Sequence, residues 1–298
     1  MTVAVAIKLV DLRPEIDPLS GTVRGGHRWD RHTLGVSAAD WAAVETALRI
    51  GSAWGQEVVV VSVGPPEAEG VLREALTLGA VRAVRVELPT AGPHGSASSS
   101  TVAAALASVV GSEGPAPAGL VVCGAASPDR GSGSVPAFLA EELGAAQALG
   151  LVSLETAESR GRGELRGVRR LDGGGRERLR VAVPAVVSVE AGVAVVRRAS
   201  LEGLLGARSS VVETALAPAP RDGFSGFPHR PGPFRPRPRA LPRPDPSEDA
   251  RRRALALAGA PGGRTAPRVV TADPERAADE LLDYLREIGL LPRGAGAG

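Results

Sequence analysis

The stretch SAADWAAVETALRIGSAWGQEVVVVSV, residues 37–63, changes its hydrophobic period once, and that change decides the fold. Over residues 37–55, Trp41, Val44 and Leu48, with Ala47, recur at helical spacing. Ser37 can accept from the orphan amides of the first turn, and Gly55 offers a stop. From Glu57 the period disappears and a β-branched run follows, as in a strand covered on both faces of a parallel sheet. A helix feeding such a strand is half of a repeating α/β unit.

The same unit extends in both directions. VAVAIKLV at 3–10 reads as a preceding buried strand. Downstream, GPPEAEGVLREALTLGA at 64–80 places Val71, Leu72, Ala75, Leu76 and Leu78 on one broad apolar helical face, and Val81 to Leu88 supplies the next strand. A Gly/Ser stretch at 92–100 leads into a helix at about 101–110, GLVVCGA at 119–125 is a short strand, and VPAFLAEELG at 135–144 a further helix. The alternation predicts an α/β fold, a Rossmann-like parallel sheet with helices on both faces, whose ligands bind beyond the carboxyl ends of the strands.

After residue 150 the texture changes. LRGVRRLDGGGRERLRVAVPAVVSV at 165–189 reads as two strands joined by a Gly-rich turn, an antiparallel hairpin. Residues 1–214 are therefore expected to form one domain. The Pro/Arg-rich segment 215–267 lacks the makings of a core and is expected to be a mobile linker. Order returns at 268–291 as a short strand and a helix capped by Asp273, with Pro274 at its first position and Leu281, Leu282, Leu285 and Ile288 on one face. Residues 292–298 read as a disordered tail.

Composition narrows the function classes. With 298 residues, 43% of them hydrophobic, the chain can bury a core, and aromatics at 3% leave Ala, Val and Leu to build it. A single cysteine, Cys123, excludes an intramolecular disulfide framework. The histidines at 27, 32, 94 and 229 are too scattered for a metal site, so His27 and His32 read as part of a polar loop. The first residues lack the basic start and cleavage site of a secretion signal, and no apolar run reaches the length of a membrane span, which points to a cytoplasmic protein without direct membrane insertion. A net charge of +2 demands no acidic partner. The Arg/Pro segment lacks interleaved aromatics and a folded platform, so nucleic acid is not an expected partner.

Three segments, in order, resemble the β (small) subunit of electron transfer flavoproteins. The opening strand AIK, the helix DWAAVETALRI and VSVGPPEAEGVLREALTLGAVRAVRV at 61–86 form the first. The hairpin GVRRLDGGGRERLRVAVPAVVSV at 167–189 is the most specific. It carries the family's basic residue at Arg169, an acid and two small residues at Asp172, Gly173 and Gly174, then Glu177, Leu179 and Pro184 followed by two aliphatics and a small residue. The tail at 268–291 is similar to the family's C-terminal arm, which wraps onto the α subunit beside the FAD. Within that resemblance, the Ala/Arg/Gly-rich composition and altered loops are similar to a divergent actinobacterial branch of the family associated with the peptide-derived cofactor mycofactocin.

The resemblance implies an adenine nucleotide alpha hydrolase-like fold with no catalytic residues of its own. It implies a heterodimer with an α subunit that holds most of the FAD, fed by a flavin-dependent dehydrogenase and drained by a membrane quinone reductase. The nucleotide site, filled by AMP in most relatives and by a second FAD in the electron-bifurcating branch, would fall on Ala6, on Ser37, Ala38, Ala39 and Asp40, on Val63 and Gly64, and on the loop from Gly124 to Val135. That loop includes Asp129, and in it Gly131 and Gly133 permit close backbone approach, Ser132 and Ser134 can donate hydroxyl bonds and Arg130 offers a charge-assisted phosphate contact. Two departures leave retention or loss of the nucleotide open: Ser37 stands where relatives carry Asn, and the loop is shortened. The family's docking loop for dehydrogenases would fall on Val193 to Leu205, with Arg197, Arg198, Ser200 and Leu201 as candidates. Asp172, Glu177 and their arginine neighbours read as solvated strand charges.

Two other classes stand beside this reading. A nucleotide-binding sensor or hydrolase of the universal-stress or ATP-pyrophosphatase type would need an SGGxDS or GxxGxxxxG phosphate loop, which the sequence lacks. A scaffold subunit that has lost nucleotide binding is the third.

Overall fold

The computed structural model describes residues 2–16, 23–24, 33–88, 97–157, 163–218, 245–257, 269–288 and 290–291. The histidines, the Gly/Ser stretch 92–96 and the tail 292–298 lie outside the described residues. The chain divides into two units, Met1–Arg235 and Pro236–Gly298.

In the first unit, β1 (Thr2–Ala6) is followed by four short strands, β2 (Leu9–Asp11), β3 (Glu15–Ile16), β4 (Val23–Arg24) and β5 (Leu34–Val36). The alternating units then run α1 (Ala38–Trp54), β6 (Val58–Val63), α2 (Glu69–Thr77), β7 (Arg82–Glu87), α3 (Ser99–Val110), β8 (Ala118–Gly124), α4 (Val135–Glu142) and β9 (Ala146–Thr156). After them come β10 (Glu164–Arg170), β11 (Arg176–Ala182), β12 (Ala185–Val189), α5 (Leu201–Ser209) and β13 (Val212–Leu216). Nine strands form one sheet in the order β11-β10-β9-β12-β8-β1-β6-β7-β13. Every pairing from β9 to β13 is parallel, whereas β10 runs antiparallel to both β9 and β11. The expected Rossmann-like parallel sheet with helices on both faces is what the chain forms.

Alternate residues of the central strands feed two cores. Val3, Val5, Val58, Val60, Val122 and Val187 pack with Val44, Leu48 and Leu72 of α1 and α2. Ala4, Val59, Val61, Val84 and Val121 pack with Leu106 and Val109 of α3 and Leu139 of α4. Small aliphatic side chains let the helices lie close to the sheet, which is how a chain poor in aromatics fills its interior.

Several elements differ from the sequence reading. The run at 3–10 is two strands: Ile7 N still donates to Val61 O, but Lys8 N turns to the Asp40 carboxylate, so β2 leaves the main sheet and pairs with β5. The hairpin at 165–189 is three strands. Pro184 has no N–H for a ladder, so β11 ends at Ala182 and β12 returns to the parallel core between β8 and β9. Ser210 and Val211 lead into β13, which runs to Leu216 and pairs with β7, so the sheet extends past the expected boundary at 214. Finally, β9 and α5 carry no clear sequence signal.

In the second unit, α6 (Ala250–Leu257) falls inside the segment read as linker. Residues 269–273 form no strand, but α7 (Pro274–Glu287) begins as expected, with Asp273 accepting from Arg276 N and Pro274 at its first position. Leu281 and Leu282 of α7, and Ile288 just after it, are exposed.

Candidate functional site

The sheet order places β8, β1 and β6 side by side, so their carboxyl ends converge. Ala6 ends β1 in register with Val61 and Cys123. Val63 and Gly64 end β6, Gly124 ends β8, and the N-terminus of α1 stands beside them. All the residues expected at the nucleotide site thus lie along one edge of the sheet, where open α/β sheets bind ligands.

At that edge Ser37 caps α1 by accepting from Asp40 N at 3.0 Å. The Asp40 carboxylate turns inward, accepts from Lys8 N at 3.2 Å and lies against the backbone of Gly124. Burial pushes its carboxyl up to about 6, although bonds from Lys8, Ser37 and Gly124 and the Lys8 charge pull the other way. Ala38 is exposed and Ala39 partly buried in this first turn. Cys123 is buried, and burial together with the Asp40 charge pushes its thiol up to about 12, which makes it inert.

The loop after β8 is fastened at several points. Ala125 N donates to Val189 O, and Gly131 N to Ser127 O. Asp129 pairs with Lys8, Nζ to Oδ2 at 2.5 Å, while Ser127 Oγ lies 3.4 Å from the same ammonium. Partial burial pushes the Asp129 carboxyl up, but the bonds from Lys8 and Ser127 and the Lys8 charge hold it below its usual range. Arg130 Nη1 donates to Ala97 O at 2.6 Å. Ser134 Oγ is 2.9 Å from Ser99 Oγ and 3.2 Å from Ser132 Oγ, so the loop meets the start of α3, where Ser98, Ser100 and Thr101 share hydroxyl bonds. Val135 begins α4.

Lys8 and the α3 start are functional candidates that the sequence reading missed, whereas Ser127 falls within the loop expected from Gly124 to Val135. Lys8 lies two residues past the end of β1, at the carboxyl end of the sheet. The Ser98-x-x-Thr101 spacing is a helix-start signal inside a run that reads only as polar.

The family-pattern residues form the hairpin itself. Arg169 and Glu177 are cross-strand partners, Nε to Oε2 at 2.5 Å. Asp172, Gly173 and Gly174 make its turn, and positive φ at 73° and 83° explains the two glycines. Leu179 packs on the core, and the Pro184 carbonyl accepts from Ala146 N.

The docking candidates separate into anchored and free groups. Arg197 reaches inward to buried Glu45, Nε to Oε2 at 2.8 Å, and its backbone N–H binds the same oxygen. Ser200 caps α5 by accepting from Gly203 N. Arg198 is exposed, and Leu201 is exposed at 72% beside Leu204 and Leu205. A cleft of about 640 Å³ opens here, lined by Trp41, Arg73, Glu74, Arg197, Leu204 and Arg208. Among the described residues no group of side chains could hold a metal ion, and no helix is long and apolar enough to cross a membrane.

Comparison with known proteins agrees with this architecture. Residues 30–220 match the family model described as the electron transfer flavoprotein domain. Protein FixA of Rhizobium meliloti is 33% identical over 186 residues, 62% of each chain. The electron transfer flavoprotein subunit beta of Syntrophomonas wolfei is 32% identical over 185 residues, 62% of this chain and 68% of the relative. That of Mycobacterium tuberculosis (strain H37Rv) is 36% identical over 178 residues, 57% of this chain and 62% of the relative. The alignment spans a little under two thirds of the FixA and mycobacterial relatives. With the matched region covering the whole nine-stranded sheet except β1, the chain belongs to the electron transfer flavoprotein β-subunit family.

Proposed function

We propose that this chain is the small subunit of a heterodimeric electron transfer flavoprotein, an electron carrier component without catalytic residues of its own. The observation that carries this reading is the family match over residues 30–220, with relatives named as β subunits. FAD, bound mainly by the α subunit, would supply the redox chemistry. This chain would hold the α subunit through the hairpin and the exposed apolar face of α7, and offer the 193–205 segment to a flavin-dependent dehydrogenase. Electrons would leave for a quinone reductase.

The edge around Ala6, Ser37, Val63 and Gly124–Val135 would take an adenine nucleotide in a structural role, AMP by family default. Its donor set supports this: the Lys8 ammonium, the hydroxyls of Ser127, Ser132 and Ser134, and the amides of a Gly-rich loop are the groups that receive phosphate elsewhere.

Co-expression with an electron transfer flavoprotein α subunit from the same genome tests the pairing. A 1:1 complex surviving gel filtration is the expected result. A chain that stays apart from that subunit overturns the reading.

A further inference from the structure

The cations at the proposed nucleotide site are already engaged by the chain. Lys8 Nζ lies 2.5 Å from Asp129 Oδ2, and the second oxygen of that carboxylate accepts from Arg130 N at 2.9 Å. One ammonium and one loop amide around an anionic oxygen pair is the arrangement a bound phosphate would demand. The Arg130 guanidinium is turned aside to Ala97 O, and a second carboxylate, Asp40, stands behind Lys8 on its backbone amide. A phosphate entering here therefore meets no free cation at Lys8, and two negative charges close by.

We infer that the Asp129 carboxylate is an internal competitor for phosphate at this site, occupying Lys8 until a nucleotide displaces it. The inference rests on the proposed nucleotide site. The Lys8 and Asp129 side chains retain 40% and 38% of their exposure, so the pair is screened by water and exchange is cheap. Asp129 thus tunes affinity and selectivity and leaves the site open. A ligand carrying phosphate must compete for Lys8, whereas the nucleoside alone need not. The pair also keeps the loop tied to the end of β1 when no ligand is bound.

Titration calorimetry of the full chain with AMP and with adenosine tests this. Asp129→Asn is expected to bind AMP more tightly, on the order of fivefold, with adenosine affinity unchanged. Asp129→Glu, which restores the competing charge, is expected to return AMP affinity toward wild type. Lys8→Met is expected to abolish the preference for AMP over adenosine. Thermal melts check that each variant is folded, which the loop position of Asp129 favours. Equal or weaker AMP binding by folded Asp129→Asn, against measurable binding by the wild type, overturns the inference and leaves the nucleotide site standing. Absence of both AMP and adenosine binding in wild type and Asp129→Asn overturns the nucleotide site and the inference with it.

Discussion

The carboxylate of Asp40 fills the space that a side chain at Gly124 would need. A Cβ at 124 would lie 2.2 Å from Asp40 Oδ1 and 2.9 Å from Asp40 N. The start of α1 and the end of β8 approach closely only because one of the two contact positions is glycine. Gly124→Ala is expected to destabilise the chain by about 2–3 kcal/mol, as overpacking of a fixed backbone does. Adding Asp40→Ala removes the nearest clash, so a double-mutant cycle by urea unfolding should show a favourable coupling of about 1 kcal/mol or more. Additive effects would mean that the two elements are not in contact.

Asp40 also predicts a pH dependence. Its folded-state carboxyl is raised to about 6 from an ordinary 3.8, so between those values the folded chain holds a proton that the unfolded chain has lost. Stability from this group falls as pH rises through that window, by about 3 kcal/mol at most. Asp40→Asn cannot ionise. Relative to it, wild type should lose stability between pH 4 and pH 7, and a flat difference across that range would contradict the buried carboxylate.

The Glu45–Arg197 pair carries the opposite sign. Burial raises the Glu45 carboxyl, but bonds from Arg197 and Arg49 more than offset this and hold it below its ordinary value. Stability from this group is present above the unfolded value and is lost as pH falls through the folded one. Arg197→Ala is expected to cost about 1–3 kcal/mol at pH 7, because it strands a nearly buried carboxylate. The deficit should shrink in acid, as chemical denaturation at pH 7 and pH 4 would reveal.

Much of this was legible in the sequence, and the misses share a cause. The α1–β6 unit, its Ser37 cap and its Gly55 stop follow from local period and local capping, which need no knowledge of the rest of the chain. The break of the first strand at Lys8 depends on Asp40, thirty-two positions away, and the split at Pro184 depends on a place waiting between β8 and β9. Long-range pairing of this kind leaves no periodic trace. The residues expected at the strand ends do lie near one another there, but Lys8 was not among them, because a lone lysine after a strand is informative only once Asp129 is known to face it. Arg197 was read as a docking charge, and its tie to Glu45 is an anchoring contact that the sequence does not show.

Buried Arg85 joins elements that the sequence gives no reason to connect. Its guanidinium donates to Gly64 O and Thr214 Oγ1 and pairs with Glu69 and Glu87, linking β6, β13, α2 and the end of β7. Ser62 Oγ and Arg85 Nε, on register-paired residues, have no hydrogen-bond partner among the described residues. Arg85→Ala is expected to cost about 1–3 kcal/mol, since it removes a buried side chain that ties these elements together and leaves the Gly64 carbonyl without this donor, while the partly exposed Glu69 and Glu87 carboxylates can be hydrated. Hydrogen exchange should then accelerate first in the amides of edge strand β13, and uniform acceleration across the sheet would contradict this local role.

The central claim is that this chain works as half of a flavin-carrying pair. The most direct measurement is the visible absorbance and flavin content of the complex co-purified with an electron transfer flavoprotein α subunit. The account predicts a yellow 1:1 complex whose flavin bleaches on chemical reduction and returns on reoxidation. A stable complex without flavin, or an α subunit that binds flavin and never retains this chain, would contradict it.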